Sequence, residues 1–323
     1  MQRKWHVATV VLVVLIPRLL CAAGMVDAVG AGLRSLDLKK GDPALCVLSN
    51  AVYVDHAALD MLEDRTSCSL GKGNLLFYHC PSGRPLKAAL FRRDTRVACL
   101  LTQAGEGMIE RVQLAIGPEQ TSNPETWKEI GAKLGADTAM VGILNAWADG
   151  APNDLLKCVE FHNHFCPGVT SGYLMAKYIQ AHWPLTGRQA YLYIAAPVWC
   201  KEDAIQQLLD LTAGKHGIVT KPLAKDQLKD LPYTQPAGIL IVREERNGPG
   251  TAHVLCFDWE LANRGIKDMG GMKKNPLSWN DAPEKYISSP LSLGLTAEEI
   301  ARLELVENPY QFLVSMEKKE QKK

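Results

Sequence analysis

A chain of 323 residues is long for one ordinary domain, and two domains of about 100 to 150 residues are the expectation. Its 36 lysines and arginines nearly cancel its 35 aspartates and glutamates. No global field therefore draws it to nucleic acid, to an anionic membrane or to an acidic substrate, and its partners must be read from local sites.

The N-terminus reads as an export signal over residues 1–24. Arg3 and Lys4 precede an apolar run from Val7 to Ile16, followed by Pro17, Arg18 and the small-residue end of "LLCAAG". The mature chain is expected to begin near Gly24 or Met25 and to reside outside the cytoplasm, periplasmic or secreted. The uninterrupted run is shorter than the ~20 residues a membrane-spanning helix needs. A membrane is thus a partner only if this segment stays uncleaved as an anchor. Export permits disulfides among Cys46, Cys68, Cys80, Cys99, Cys158 and Cys256. No Cys-x-x-Cys is present, which removes the usual zinc-finger, thioredoxin-like and c-type haem signatures.

Residues 25–150 read as a first αβ domain with a linker helix. "LLFYHC" and "LKAALFRR" are its expected strands, and "GPEQTSNPETW" leads into the joining helix. Residues 151–270 read as a second αβ domain. There "FHNHFC" alternates like a strand, "VTSGYLMAKYIQAHW" places Leu174, Tyr178 and Ile179 on one helical face, and "QAYLYIAA" is an apolar strand. An amphipathic helix "KEDAIQQLLDL" and the strands "GILIVREE" and "AHVLCFDWE" follow. Residues 271–323 read as an extended C-terminal segment with a short helix capped by Thr296, ending in a solvated, frayed tail, "SMEKKEQKK". The fold class is α+β: two related domains, each a sheet with packed helices.

The relation between the halves is a degenerate repeat. With Gly71-Lys72 laid on Gly214-Lys215, "LDMLEDRTSCSLGKGN" tracks "EDAIQQLLDLTAGKHG" without a gap, and Asp60 falls on Asp203. The "GKGN" and "GKHG" stretches lack the full phosphate-loop pattern, and a helix stop made by glycine is the simpler account.

The candidate site centres on "EFHNHFCPGV". In an extended segment His162, His164 and Cys166 project to one side, and imidazole with thiolate suits zinc best, then iron, nickel or copper. Pro167 is a good first helical residue, which puts the Cys166 sulfur at a helix N-terminus where its pKa should fall. Cys200 holds a similar station before the next helix and is the expected fourth ligand. Asp203 could ligate, orient a histidine or cap the helix. Lys215 and His216 could reach the pocket from their loop.

At these residues the sequence resembles the E-subunit family of formylmethanofuran dehydrogenase. The family's Phe-His-Gly-His-x-Cys-Pro-Gly is matched by "FHNHFCPG" with Asn163 for glycine, and its Cys-x-x-Asp-Ala-Ile-Gln by "CKEDAIQ" from Cys200 to Gln206. The resemblance covers roughly residues 155 to 260 and implies an α+β domain with a bound transition metal, often assigned as zinc. The second domain has Leu211 where the family usually has cysteine. The first keeps Cys68 there, but has Ala57 in the place of Cys200 and no histidine motif. The second domain is therefore the expected metal binder and the first a structural or gating partner, with a composite site drawing on Cys68 as the other arrangement.

The leading expectation is an exported accessory protein that stores, delivers or senses a transition metal or metal cofactor. A metal-dependent enzyme with an open coordination position, using Asp203 or Lys215 as acid or base, is the second reading. A structural-metal interaction module with Cys166 and Cys200 as a redox pair is the third. Beyond the metal ion, a protein partner or a homodimer is compatible with each.

Overall fold

A computed structural model of the chain describes residues 19–22, 25–49, 60, 63–79, 85, 87–105, 108–121, 123–134, 138–264 and 283–322. The fold is mixed α+β, as the sequence predicts, and divides into two compact units, Met1–Thr126 and Trp127–Lys323.

In the first unit β1 (Leu19–Ala22) precedes α1 (Met25–Ser35), and then come β2 (Ala44–Ser49), β3 (Leu75–Tyr78), β4 (Lys87–Arg92), β5 (Val97–Gly105) and β6 (Met108–Ala115). The sheet order is β1-β6-β5-β4-β2-β3. β2 and β3 are parallel and all other neighbours antiparallel. Ala28, Val29 and Leu33 recur at helical spacing on α1 and, with Leu36 just beyond its end, bury against Leu90, Cys99 and Leu101 of the sheet. Helices α2 (Pro118–Thr121) and α3 (Pro124–Leu134) follow, and α3, expected as the joining helix, crosses the division between the units. Of the segment read as an export signal, only Leu19–Ala22 lies within the described residues, as an edge strand paired with β6. Among the described residues no helix is long and apolar enough to cross a membrane.

The second unit runs α4 (Thr138–Ala148), α5 (Asn153–His162), α6 (Pro167–His182), β7 (Ala190–Ala195), α7 (Lys201–Leu209), β8 (Ile218–Thr220), β9 (Pro236–Arg243), β10 (Gly250–Phe257), α8 (Trp259–Arg264), β11 (Ile287–Leu295), α9 (Ala297–Leu305) and α10 (Pro309–Glu320). Its sheet order is β11-β10-β9-β7-β8. One face carries Ile194, Ile239, Ile241, Val254 and Leu293 under Ile300 and Leu303 of α9 and Tyr310 and Leu313 of α10. At the other face the end of α6 arrives, with Trp183 stacked on His253 at 4.2 Å and accepting a hydrogen bond at its carbonyl from the Tyr191 hydroxyl.

With β1 set aside, the strand order of the first unit equals that of the second, strand for strand. Each sheet has a single parallel pair at the same end, β2 with β3 and β7 with β8. Each parallel partner is entered through a 3-10 turn, Leu70–Lys72 or Ala213–Lys215, closed by a left-handed residue, Gly73 at φ 65 or His216 at φ 54.

Three expectations are corrected. "FHNHFC" is not a strand: its first two residues finish α5, because Leu155, Leu156, Cys158 and Val159 give that segment a buried helical face. The glycine stop holds only for "GKGN", where Gly73 closes the short 3-10 turn; in "GKHG" His216 closes the turn, α7 is stopped earlier by Asp210 in the left-handed region, and Gly71 and Gly214 lie inside the 3-10 turns. The C-terminal segment is not an extended connector with a frayed tail. Ile287, Leu291, Leu293 and Leu295 alternate inward as strand β11, a period of two obscured by serine, proline and glycine between them. The end of the chain is helix α10, capped by Asn308 with Pro309 in its first turn and anchored by Tyr310 and Leu313. Residues 271–282 lie outside the described residues. Thr296 caps α9 as expected, in a reciprocal capping box with Glu299.

Candidate metal centre

Two helix starts and one helix end converge here. α5 ends at His162, and Asn163 reverses the chain at φ 58. Asparagine tolerates this conformation better than other side-chain-bearing residues. Cys166 then caps α6, its sulfur accepting the Val169 N–H at 3.4 Å, with Pro167 as the first helical residue. After β7, Cys200 stands at the cap position of α7.

Glycines four apart on α6 let α7 approach. A Cβ on Gly168 would lie 2.7 Å from the Cβ of Cys200, and one on Gly172 would lie 2.0 Å from the backbone oxygen of Lys201. Only bare backbone fits at those two positions. The side chains of Cys166 and Cys200 are brought together by this close crossing.

His162, Cys166 and Cys200 each present one ligand atom, and these three atoms all lie within 4.8 Å of one another. Nε2 of His162 is 3.8 Å from the Cys166 sulfur. Sulfurs around a tetrahedral zinc sit roughly 3.8 Å apart, so a borderline metal ion fits the donor set with little adjustment. Nδ1 of His162 faces Asp203 Oδ2 at 2.6 Å. Of the three roles open to Asp203 in the sequence, it takes that of orienting the histidine, leaving Nε2 directed at the sulfurs. His164 stands beside the group, its ring centroid 6.1 Å from that of His162. Lys215 is engaged on the surface in an ion pair with Asp210. His216 closes its turn in the left-handed region.

The electrostatics correct a further expectation. The Cys166 thiol does not become the acidic one. Its hydrogen bond to Cys200 and its burial push its pKa well up. Cys200 is drawn down to about 4, by the hydrogen bond from Cys166 and then by His162. His162 is raised to about 9, first by Asp203 and then by Cys200. The metal-free centre is therefore a Cys200 thiolate held between a Cys166 thiol and a His162 imidazolium. His164 is lowered, by partial burial and by the neighbouring His162.

Among the other cysteines, Cys46, Cys68, Cys99, Cys158 and Cys256 are buried free thiols, and Cys80 lies outside the described residues. Cys68 sits in the core of the first unit, its thiol donating to the Ala44 carbonyl at 3.4 Å. Sequence reasoning missed Gly172, whose four-residue spacing from Gly168 on an otherwise bulky helix was the available signal.

No curated protein matches the chain. Residues 161–251 match the family described as FmdE, molybdenum formylmethanofuran dehydrogenase operon, a span that opens at the histidine motif and takes in Cys166, Cys200 and Asp203. Over those residues, all within the second unit, the chain is similar to the FmdE family.

Proposed function

We propose that the chain is an exported accessory protein whose second unit binds a transition metal, zinc foremost and iron, nickel or copper next, through His162, Cys166 and Cys200. The observation that carries this reading is the convergence of one imidazole nitrogen and two sulfurs within 4.8 Å, with Asp203 fixing the imidazole from behind. His164 is the nearest candidate for a fourth ligand. The family match supports a metal-linked role and names no substrate for this chain. The apolar leader with its small-residue end supports export, and the common strand order of the two sheets supports an internal duplication whose first copy has lost the ligands.

The three-membered ligand set favours one further reading, that of an enzyme. A metal with an open position supplies Lewis-acid chemistry, and Asp203 would keep His162 in the tautomer that binds it.

The test is metal content after anaerobic purification, by inductively coupled plasma mass spectrometry, in wild type and in Cys166→Ser, Cys200→Ser and His162→Ala. About one equivalent in the wild type and a several-fold loss in each variant is expected. A wild type without metal, or variants with undiminished metal, removes the proposal.

A further inference from the structure

Trp199 and Lys201, the chain neighbours of Cys200, line a cavity of about 350 Å³ that includes none of the three metal-site residues. Its wall is largely apolar, with Pro197, Leu228, Tyr233, Pro236 and Ala237 among its residues. Two indoles line it, Trp199 and Trp259, packed edge to face with centroids 5.6 Å apart. Trp199 is 57% exposed, an unusual state for the largest apolar side chain.

The position of Trp259 is built. Gln235 adopts a left-handed backbone at φ 50 and accepts the backbone N–H of Trp259 at 2.8 Å on its side-chain oxygen, while its carbonyl accepts the backbone N–H of Phe257 at 3.1 Å. A non-glycine residue in that region carries local strain, and here it sets the wall of a cavity.

The charge around the cavity has one sign. Lys201, Lys225 and Lys229 line it, and among the described residues no aspartate or glutamate does. The Lys201 ammonium is occupied, 2.5 Å from Glu202 and 2.6 Å from the Pro197 carbonyl. Lys225 and Lys229 are exposed, and among the described residues neither forms an ion pair.

We infer that this cavity is a binding site for a small planar anion: an aromatic or heteroaromatic ring seated against Trp199 and Trp259, with its acidic group toward Lys225 and Lys229. Indole faces and edges favour a flat π-system, and the volume holds a molecule of about two fused rings. The unmatched ammonium groups select a carboxylate or a similar acid over a neutral or cationic relative. Trp199 and Lys201 flank Cys200 in the chain, so one short loop forms the wall of this cavity and supplies a sulfur to the neighbouring centre.

The inference does not depend on the metal, and its test is made on metal-free protein. Isothermal titration calorimetry would compare 2-naphthoate with neutral 2-naphthamide on wild type, Trp199→Ala and the double variant Lys225→Glu/Lys229→Glu. Circular dichroism would serve as the control for folding. Saturable 2-naphthoate binding at least roughly tenfold tighter than that of the amide is expected. The lysine variant should lose that preference while still taking the amide, and Trp199→Ala should weaken both ligands. Equal affinity for the two ligands, no saturable binding, or undiminished naphthoate binding in either variant overturns the proposal.

Discussion

Asp203 Oδ2 lies 2.6 Å from Nδ1 of His162, and this one contact decides which imidazole nitrogen faces the two sulfurs. Losing such an outer partner typically costs 10- to 100-fold in metal affinity, so Asp203→Asn should weaken binding by roughly that factor. Competition with a chromophoric chelator measures it. In the metal-free variant the His162 pKa, about 9 in the wild type, should fall toward the ordinary histidine value, as NMR titration of the ring would show.

Metal binding should strengthen with pH. The ligand forms are neutral imidazole and thiolate, whereas the metal-free centre holds a proton on His162 up to about pH 9 and one on Cys166 beyond it. Near neutrality binding must release both, and the apparent affinity should rise by up to about a hundredfold per pH unit. Calorimetry in buffers of different ionisation enthalpy counts the protons. Release of about one proton or fewer would contradict the described charge state.

The same group sets a pH trend in the stability of the metal-free fold. A histidine raised from 6.5 to about 9 contributes stability that is fully present below about pH 6.5 and is lost as pH rises through about 9. Urea unfolding between pH 6 and 10 should show this decline in wild type, and a smaller one in His162→Gln.

Gly172→Ala should be among the more damaging single-methyl additions in the second unit. The new Cβ would meet the Lys201 carbonyl at 2.0 Å, and backbone rather than a flexible side chain must yield. Overpacking of this kind costs about 1–3 kcal/mol, visible as a lowered Tm, and the displaced α7 should carry Cys200 away from Cys166 and reduce metal content. An unchanged Tm with full metal would show that the helices do not cross so closely.

Removal of residues 1–24 should leave the first unit folded. Only the edge strand β1 would be lost from the described part, exposing β6. Intact-mass analysis of protein recovered from the extracytoplasmic fraction should place the N-terminus near Gly24 or Met25. A full-length chain in the cytoplasm would contradict export.

Much of this is legible in the sequence. β7, α7, β9, β10 and α9 stand where their periodicity and caps put them, because each carries its pattern within its own span. Helix-start chemistry singles out Cys166 and Cys200, and residue type singles out His162 and His164 without distinguishing them, whereas only His162 joins the two sulfurs. Their geometry is misread from spacing, since alternation in "FHNHFC" imitates a strand while the helical face that settles the matter lies upstream in Leu155, Leu156 and Val159. Strand β11 is hidden because its inward residues are separated by turn-forming ones, and only pairing with β10 makes it a strand. The acidity of Cys200 over Cys166 cannot be read at all. It arises from which sulfur donates to the other, a property of contact between segments distant in sequence.

Asn163 turns the chain at φ 58 between the last residue of one helix and the cap of the next. The span from His162 to Cys166 is thus set by a hairpin-like reversal and not by the pitch of a continuous helix. Such a corner accepts changes of side chain at 164 with little effect on the spacing of the donors. It is intolerant of length: one extra residue would swing the imidazole off Asp203 and away from the sulfurs together. Insertions there should be far costlier to the centre than substitutions.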